Sequence, residues 1–244
     1  MNMQKEWIEN LIQKLLDEQK MNQKNGIYAW MQIEAAYQSN KIEGNTLTRK
    51  QVASIFTQGE IIPDDNVIRL VDIEETTGHF VMFDEMLKTL DNSVSNNLIK
   101  KYHLCFRNST SQDVRKGLYA GEYHKKEERE ESEWEKVTQR MNDLINAYNE
   151  TDAHSLESLV RFHAAYETIM PFRGGNSRIG RILLLKETLR SKQIPFIIHA
   201  ANKDTYKEAL MKAQNQQVDE LMDFFKKEQI NFEREANKIL EKED

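Results

Sequence analysis

The sequence predicts an all-α, mainly helical fold, and three observations support that prediction. The 244 residues include only 9 Gly and 3 Pro, so few positions interrupt a helix. Apolar residues recur at helical spacing through most of the chain. With 39% hydrophobic and 30% charged residues, the chain has the composition of a globular protein, long enough for one large domain or for a domain with a helical appendage.

Three helices are predicted in residues 1–60. The first two have apolar faces at helical spacing. These faces comprise Trp7, Leu11, Leu15 and Leu16 in the first helix, and Ile27, Trp30, Ile33, Ala36 and Tyr37 in the second. The third helix begins at the capping-box pattern Thr48-x-x-Gln51 and ends before Gly59, a residue typical of helix C-termini.

A long helix is predicted to begin at Pro63, because proline suits the first helical turn and two Asp residues follow it. Its candidate core residues are Val67, Leu70, Val71, Phe80, Phe83, Met86 and Leu87. Another helix, from about residue 95 to residue 106, shows apolar residues at helical spacing: Leu98, Ile99, Tyr102 and Leu104. Cys105 has no activating base beside it in the sequence, so we interpret it as a buried structural thiol.

The segment 108–126 does not look helical, because it is rich in Ser, Thr, Gly and charged residues. Within it, residues 118–124 fit a short β-hairpin, although a solvated loop fits equally well. The pattern Ser132-x-x-Glu135 then predicts the start of a helix. Its inward residues are Val137, Met141, Leu144, Ile145 and Tyr148. A helix over 156–167 and helices near 177–191, 203–215 and 217–241 complete the prediction.

The run from Met170 to Arg181 predicts an anion-binding turn that leads into a helix. Gly175 and Asn176 tolerate unusual backbone angles, and a helix N-terminus adds partial positive charge. Arg178 and Arg181 are three residues apart, so they lie on one helix face and can bracket a phosphate chain. The plain alternative is a helix start with surface arginines.

The same run resembles the signature of the Fic family, nucleotide-dependent protein-modifying enzymes with the motif His-x-Phe-x-(Asp/Glu)-Gly-Asn-Gly-Arg-x-x-Arg. The matching positions are Phe172, Gly175, Asn176, Arg178 and Arg181. Flanking stretches at 162–169, 182–187 and 194–198 are similar as well. The resemblance implies a helical bundle with a small β-hairpin flap. It also implies transfer of AMP from ATP to Ser, Thr or Tyr hydroxyls of a target protein.

A second stretch resembles the family's inhibitory motif, (Ser/Thr)-x-x-x-Glu-(Gly/Asn), through Ser39, Glu43 and Gly44. It has the N-terminal position that one class of Fic proteins uses. The resemblance implies that Glu43 pairs with Arg181 and keeps the γ-phosphate of ATP out of its productive position. Outside this family, Glu43 would be read only as the end of a helix beside Gly44.

Three positions depart from the Fic motif. Met170 replaces the His that takes a proton from the target hydroxyl, and a thioether is not a base near neutral pH. Gly174 replaces the carboxylate that holds Mg²⁺, so the metal would depend on phosphates and water. Ser177 replaces the last Gly, where its hydroxyl either donates a hydrogen bond or crowds the site. No catalytic residue is secure, and Glu43 and His163 are the alternatives that remain.

His163 lies two helical turns before Met170 on roughly the same helix face. We prefer a buried His paired with Glu167 at i+4 to a relocated base. The candidate phosphate-binding residues are Gly175, Asn176, Ser177, Arg178 and Arg181. In the family the hairpin forms a flap that pairs with the target protein, so the candidate docking residues are Gly121, Glu122, Tyr123 and His124. No metal site is proposed, because no His lies in a cluster with metal-ligand spacing.

The composition also excludes several classes of protein. A net charge of −6 argues against a nucleic-acid-binding surface. A single Cys excludes a disulfide framework and is typical of a reducing compartment. No stretch has the length and apolar character of a membrane span or a signal peptide. We expect a cytoplasmic protein.

We expect a single compact unit with N-terminal helices carrying the inhibitory motif (1–60), a Fic core (61–200) and C-terminal helices (201–244). The favoured function is that of a catalytically impaired relative of the protein adenylyltransferases that keeps nucleotide or phosphate binding. The alternatives are an active nucleotidyltransferase or de-AMPylating hydrolase with a different base, and a partner-binding scaffold. ATP or another adenine nucleotide is the candidate ligand, and Mg²⁺ binding is doubtful. A protein target or partner is expected, and members of this class often form homodimers.

Overall fold

A computed structural model describes residues 2–65, 67–107, 120–124, 131–151 and 154–241, without the side chains of residues 2 and 131–135. Its helices are α1 (Asn2–Lys20), α2 (Gly26–Ile42), α3 (Arg49–Gln58), α4 (Leu70–Lys88), α5 (Asn96–Arg107), α6 (Glu131–Tyr148), α7 (Leu156–Ile169), α8 (Asn176–Arg190), α9 (Lys203–Gln214) and α10 (Asp219–Leu240). A 3₁₀ turn at Ala200–Asn202 precedes α9. Within the described ranges there is no strand, and the all-α prediction is confirmed.

Two helices, α2 and α8, form the centre of the bundle. Every residue of α8 from Arg178 to Leu189 is buried, and so are most residues of α2. Helices that are buried on all sides need no amphipathic pattern, and neither of these two has one. The α8 helix packs against α2, α4, α5 and α7, while α2 also packs against α1, α3 and α10. The C-terminal end of α2 therefore lies against the N-terminal half of α8.

Several local predictions are confirmed. Thr48 and Gln51 form the predicted capping box at the start of α3, and Gly59 ends that helix in the left-handed conformation with φ of 73°. The helices after the anion-binding run lie within two residues of their predicted bounds. These features depend on contacts between residues close in the sequence, which is why the pattern predicts them well.

The predicted helix start at Pro63 is wrong, since α4 begins at Leu70. The side chain of Gln51 donates to the carbonyl of Ile62 at 2.9 Å and to the carboxylate of Asp64 at 3.2 Å. These bonds hold the segment against α3. Val67 is 85% exposed, so it is not the core residue predicted.

Three smaller corrections concern the neighbouring helices. Leu70 and Leu104, both predicted to be in the core, are 58% and 42% exposed. Ser132 already lies inside α6, so it is not the predicted N-cap.

Within the part of the chain that the structure describes, no helix combines the length and apolar character that crossing a membrane requires.

Candidate functional site

The candidate site is the turn between α7 and α8 together with the first residues of α8, and we call residues 170–177 the anion turn. Met170 ends α7 in the left-handed conformation, with φ of 45° and ψ of 66°. Its side chain is 47% exposed. The group at the position of the family His is therefore an accessible thioether, which neither accepts nor donates a proton near neutral pH.

Two residues give the anion turn its shape. The side chain of Asn176 accepts from the amide of Phe172 at 2.8 Å and donates to the carbonyl of the same residue at 2.7 Å. Gly175 has φ of 77°, and a Cβ there would lie 2.9 Å from Cε1 of Phe106, so both backbone and space require glycine. The side chain of Asn176 therefore shapes the turn. The first amide groups of α8, which have no acceptor inside the helix, form its positive end.

Arg181 is held by the C-terminal end of α2. Its guanidinium donates to Oγ and to the carbonyl oxygen of Ser39, both at 2.9 Å, and to Oε1 of Glu43, also at 2.9 Å. The Arg181 side chain is 7% exposed and that of Glu43 is 30% exposed, so Glu43 covers Arg181 on its solvent side. Gly44 follows with φ of 89° and turns the chain away. The ion pair that the family resemblance implies is present.

Burial raises the pKa of Glu43, but the nearby cations Arg181, Arg178 and Lys207 outweigh it and lower the pKa below its ordinary value. Glu43 is therefore ionised at neutral pH, and a carboxylate with a lowered pKa is a weak general base.

Arg178 has a different set of partners. It forms a two-point ion pair with Glu75 of α4, with bonds of 2.6 and 3.0 Å, and donates to Asn40 at 3.3 Å. Its guanidinium carbon lies 4.6 Å from the ring centre of Phe106. Glu75 also accepts from Arg107 at 2.8 Å. Sequence reasoning missed Glu75 and Arg107, and it gave a carboxylate partner only to Arg181, whereas protein carboxylates hold both motif arginines.

Ser177 points into the protein. Its hydroxyl donates to Oε2 of Glu167 at 2.7 Å, which decides between the two roles that the sequence left open for this side chain. Burial raises the pKa of Glu167 to about 7, although Arg181 and the Ser177 hydroxyl act in the opposite direction. A Cβ at Gly180 would lie 2.4 Å from Oε1 of Glu167, so that glycine is what lets the carboxyl group approach α8.

His163 lies behind the anion turn. It is buried, and its Nε2 is 2.7 Å from the hydroxyl of Tyr206, so the predicted pair with Glu167 is not formed. Burial, assisted by the charge of Arg181, lowers the pKa of His163 to about 3. A histidine in this environment is neutral at pH 7 and a poor proton acceptor, which removes it as a replacement base.

His103, also missed by sequence reasoning, connects the anion turn to residues 120–124. Its Nδ1 accepts from the amide of Gly121 at 2.9 Å, so Nε2 carries the proton and donates to the carbonyl of Gly174 at 3.1 Å. Its ring stacks on Phe172 with centroids 3.9 Å apart. The available signal was its place on the buried face of α5, beside Tyr102.

The predicted docking residues Gly121, Glu122, Tyr123 and His124 lie beside the anion turn, with Gly121 in a turn and the other three outside regular secondary structure. The amide of His124 donates to the carbonyl of Pro171 at 3.0 Å. Tyr123 is buried and its hydroxyl donates to Oδ1 of Asn96 at 2.8 Å, so its side chain holds this segment against α5. The rest of the predicted hairpin and its surroundings, at 108–119 and 125–130, lies outside the described residues.

The residues around the anion turn do not fit a magnesium site. Gly174 offers no side-chain ligand, and the nearest side chain to its Cβ position is the guanidinium of Arg107, 3.8 Å away. Among the described residues, no three His, Cys, Asp or Glu side chains are grouped so as to hold a metal ion. A cation beside Gly174 would meet a positive charge there, and oxygen ligands are what Mg²⁺ needs.

The region that contains this site is similar to a known protein family. Residues 94–187 match the family model described as the Fic/DOC family. That range includes the whole anion turn and both motif arginines, but it excludes Glu43 and Glu75. No curated protein sequence is significantly similar to this chain.

Three solved structures illustrate the fold. A Fic domain containing signalling protein from Bacteroides thetaiotaomicron is 19% identical, with a TM-score of 0.72 over 91% of this chain and 93% of that chain. Fic-1 from C. elegans is 19% identical, with a TM-score of 0.68 over 96% of this chain and 70% of that chain. A Fic family protein from Desulfovibrio desulfuricans is 21% identical, with a TM-score of 0.65 over 96% and 74%. At these identities the similarity establishes the fold, and it extends well beyond residues 94–187.

Proposed function

We propose that this protein, whose residues 94–187 match the Fic/DOC family model, binds an adenine nucleotide or a related phosphorylated ligand at the anion turn without efficient transfer of AMP. The observation that carries the proposal is the contrast within one turn. The features that recognise a phosphate chain are kept, whereas the base and the metal ligand are absent.

Recognition of phosphate rests on the first amide groups of α8 and on Arg181. The N-terminal end of a helix attracts anions, and Gly175 and Asn176 hold this one in an open turn. Arg181 already binds a carboxylate oxygen of Glu43 at 2.9 Å, and a phosphate oxygen is chemically similar. A ligand phosphate therefore competes with Glu43 for this guanidinium, and affinity in the resting protein is low.

Transfer of AMP requires a group that removes the proton from the attacking hydroxyl. Met170 does not do so, His163 is buried with a pKa of about 3, and Glu43 is ionised with a lowered pKa. Loss of a general base alone lowers a rate by roughly 10² to 10⁴. The poor fit to Mg²⁺ removes a second contribution, the neutralisation of phosphate charge during transfer.

Calorimetric titration with ATP, ADP and AMP, with and without Mg²⁺, tests the binding proposal. We expect weak binding that needs phosphate and changes little when Mg²⁺ is added. Strong tightening by Mg²⁺ would contradict the proposed metal-free site. A control variant is Glu157→Gln, which alters an exposed carboxylate paired with Arg161 at the other end of α7 and should bind the nucleotides as the parent protein does.

A transfer assay with ATP labelled in the α-phosphate tests the second half of the proposal. We expect little or no label on the protein itself or on proteins of a cell lysate. Robust labelling would support an active transferase with a different base instead. If no nucleotide binds and no label is transferred, a partner-binding scaffold becomes the better explanation of the fold.

A further inference from the structure

The segment that follows Glu43 is bound to the first turn of α4. The carboxylate of Asp72 accepts from the amide of Thr46 at 3.1 Å and from its hydroxyl at 2.5 Å. The side chain of Asn45 donates to the backbone carbonyl of Asp72 at 3.0 Å. We call these contacts, together with those of Arg69, the Asp72 clasp.

Arg69, the residue just before α4, closes the clasp. Its guanidinium donates to both carboxylate oxygens of Asp72, at 2.6 and 2.8 Å, and its Nη2 also donates to the carbonyl of Gly44 at 2.8 Å. Asp72 is 1% exposed. Burial raises the pKa of Asp72, but the hydrogen bonds from Arg69 and Thr46 outweigh burial and lower the pKa below its ordinary value. The carboxylate is therefore ionised at neutral pH and held by strong, charge-assisted bonds.

Glu43 lies between the clasp and the end of α2, so its backbone is held on both sides. Its own amide donates to the carbonyl of Asn40 in α2 at 3.0 Å, and the amide of Asn45 donates to the same carbonyl at 3.0 Å. The carbonyl of the next residue, Gly44, is bound by Arg69. The position of the Glu43 backbone sets where its carboxylate lies, and that carboxylate is 2.9 Å from Nη2 of Arg181.

We infer that Asp72 is a positioning residue of the proposed site, which holds Glu43 against Arg181 and thereby lowers the affinity for a phosphorylated ligand. This inference rests on the proposed function and adds a means of regulating it. Forming an ion pair costs conformational entropy, and a backbone that is already fixed reduces that cost. When the clasp opens, Glu43 is less often bound to Arg181, and a ligand phosphate competes with it more successfully.

The size of the effect has an upper limit. Opening the clasp leaves the charge of Glu43 in place, so it must change ATP affinity less than Glu43→Gln does. Removing that charge is expected to strengthen ATP binding about tenfold, and we expect about threefold from Asp72→Asn. Asparagine has almost the same shape as aspartate, but it offers Arg69 a weaker, neutral acceptor.

Calorimetric titration with ATP of the parent, Asp72→Asn, Glu43→Gln and the combined variant tests the inference. Asp72→Asn should tighten ATP binding in the parent and add nothing in the Glu43→Gln background. Removing a negative charge also favours an anionic ligand at long range, but that effect would be the same in both backgrounds. An equal gain in the two backgrounds would overturn the inference, and so would unchanged affinity in Asp72→Asn.

The matched control is Asp84→Asn. Asp84 lies on the same helix, about 18 Å further along it, and its carboxylate accepts from Tyr28 at 2.6 Å and from Gln32 at 2.9 Å. Its loss should lower the melting temperature, as the loss of Asp72 does, but should leave ATP affinity unchanged. A gain in ATP affinity equal to that of Asp72→Asn would show that general loosening is the cause, and it would contradict a positioning role.

Arg69→Gln opens the clasp from the other side and is the variant to use if Asp72→Asn does not fold, because Arg69 is 49% exposed. It removes a positive charge, whereas Asp72→Asn removes a negative one. Both should nevertheless tighten ATP binding, and only while Glu43 is present. Weaker or unchanged binding in Arg69→Gln would mean that charge alone explains any effect of Asp72, which would overturn the inference.

A last readout needs no ligand. Asp72→Asn should lower the melting temperature more in the parent than in the Glu43→Gln background, because only the parent has the ion pair that the clasp supports. Equal decreases would contradict the coupling of Asp72 to Glu43. If the parent protein binds no ATP, the proposed function fails, while the melting temperatures still decide whether the clasp positions Glu43.

Discussion

Replacing Glu43 with glutamine is expected to strengthen ATP binding about tenfold. The carboxylate accepts from Nη2 of Arg181 at 2.9 Å and must leave before a phosphate takes its place. A hydrogen bond between charged groups contributes about 1.5–3 kcal/mol, and we use the lower end because Glu43 is 30% exposed and partly screened. About 1.4 kcal/mol corresponds to a factor of ten in the dissociation constant. Glutamine keeps the shape of the side chain but gives Arg181 a weaker, neutral acceptor.

Calorimetry at low and at physiological ionic strength measures the change, and the gain should shrink as salt rises. The melting temperature supplies a second check, because the variant should bind ATP more tightly but be less stable without ligand. Without ligand, Glu43→Gln should melt about 2–4 °C lower, because the buried Arg181 loses its charged partner. With saturating ATP the difference should shrink or reverse, since the ligand now supplies that partner. Glu157→Gln removes an exposed carboxylate elsewhere and should change neither quantity.

Two results would refute the reasoning. Unchanged ATP affinity would mean that Glu43 does not compete with the ligand for Arg181. An equal gain for adenosine, which carries no phosphate, would mean that the variant only opens the site. The competition also depends on pH in a defined direction: the lowered pKa of Glu43 means that its ion pair is present above the ordinary carboxyl range and is lost as pH falls through the folded-state value.

Three further predictions concern the support of the anion turn. Gly175→Ala should lower the free energy of unfolding, measured in urea, by at least about 2 kcal/mol, because φ is 77° and the new Cβ would lie 2.9 Å from Phe106. The matched control is Gly59→Ala, which has a similar φ of 73° but open space around the new Cβ, and it should cost about 1 kcal/mol. The free energy of unfolding should fall by about 2–3 kcal/mol as the pH rises from below the ordinary Glu pKa through 7. The reason is that the folded state favours the neutral form of Glu167, whose pKa is raised to about 7. Glu167→Gln should remove that dependence, and a pH profile unchanged by the variant would exclude Glu167 as its source. His103→Ala should lower the free energy of unfolding by about 2–3 kcal/mol, because the two hydrogen bonds of His103 and its ring stacking are lost. An unaltered urea midpoint would show that the link from His103 to the anion turn does not stabilise the protein.

The sequence by itself determined the helical class and the local devices that build it. The capping box at Thr48, the helix end at Gly59 and the turn at Gly175 all depend on residues within a few positions of one another. A contact of that range has few alternatives, so a local pattern identifies it. The start at Pro63 failed for the complementary reason, because bonds from Gln51 decide the conformation of that segment.

For the anion turn as well, some features follow from the sequence alone and others do not. Its position, its glycine and the absence of a base at Met170 can be read directly from the residues. The pairing of Glu43 with Arg181 spans 138 residues, and only the resemblance to a known family suggested it. No spacing rule connects two residues so far apart, since many chain arrangements satisfy the same local pattern.

Only the tertiary structure decided which charges surround the turn. Glu75 meets Arg178 across 103 residues, and His103 meets Gly174 across 71. Arg107 reaches the turn from the end of α5, and the hydroxyl of Ser177 donates to Glu167. Each of these contacts follows from the way α4, α5 and α7 pack around α8, which depends on the sum of many buried contacts. The physical reason is that electrostatic interactions depend on distance in space, while a sequence records only distance along the chain.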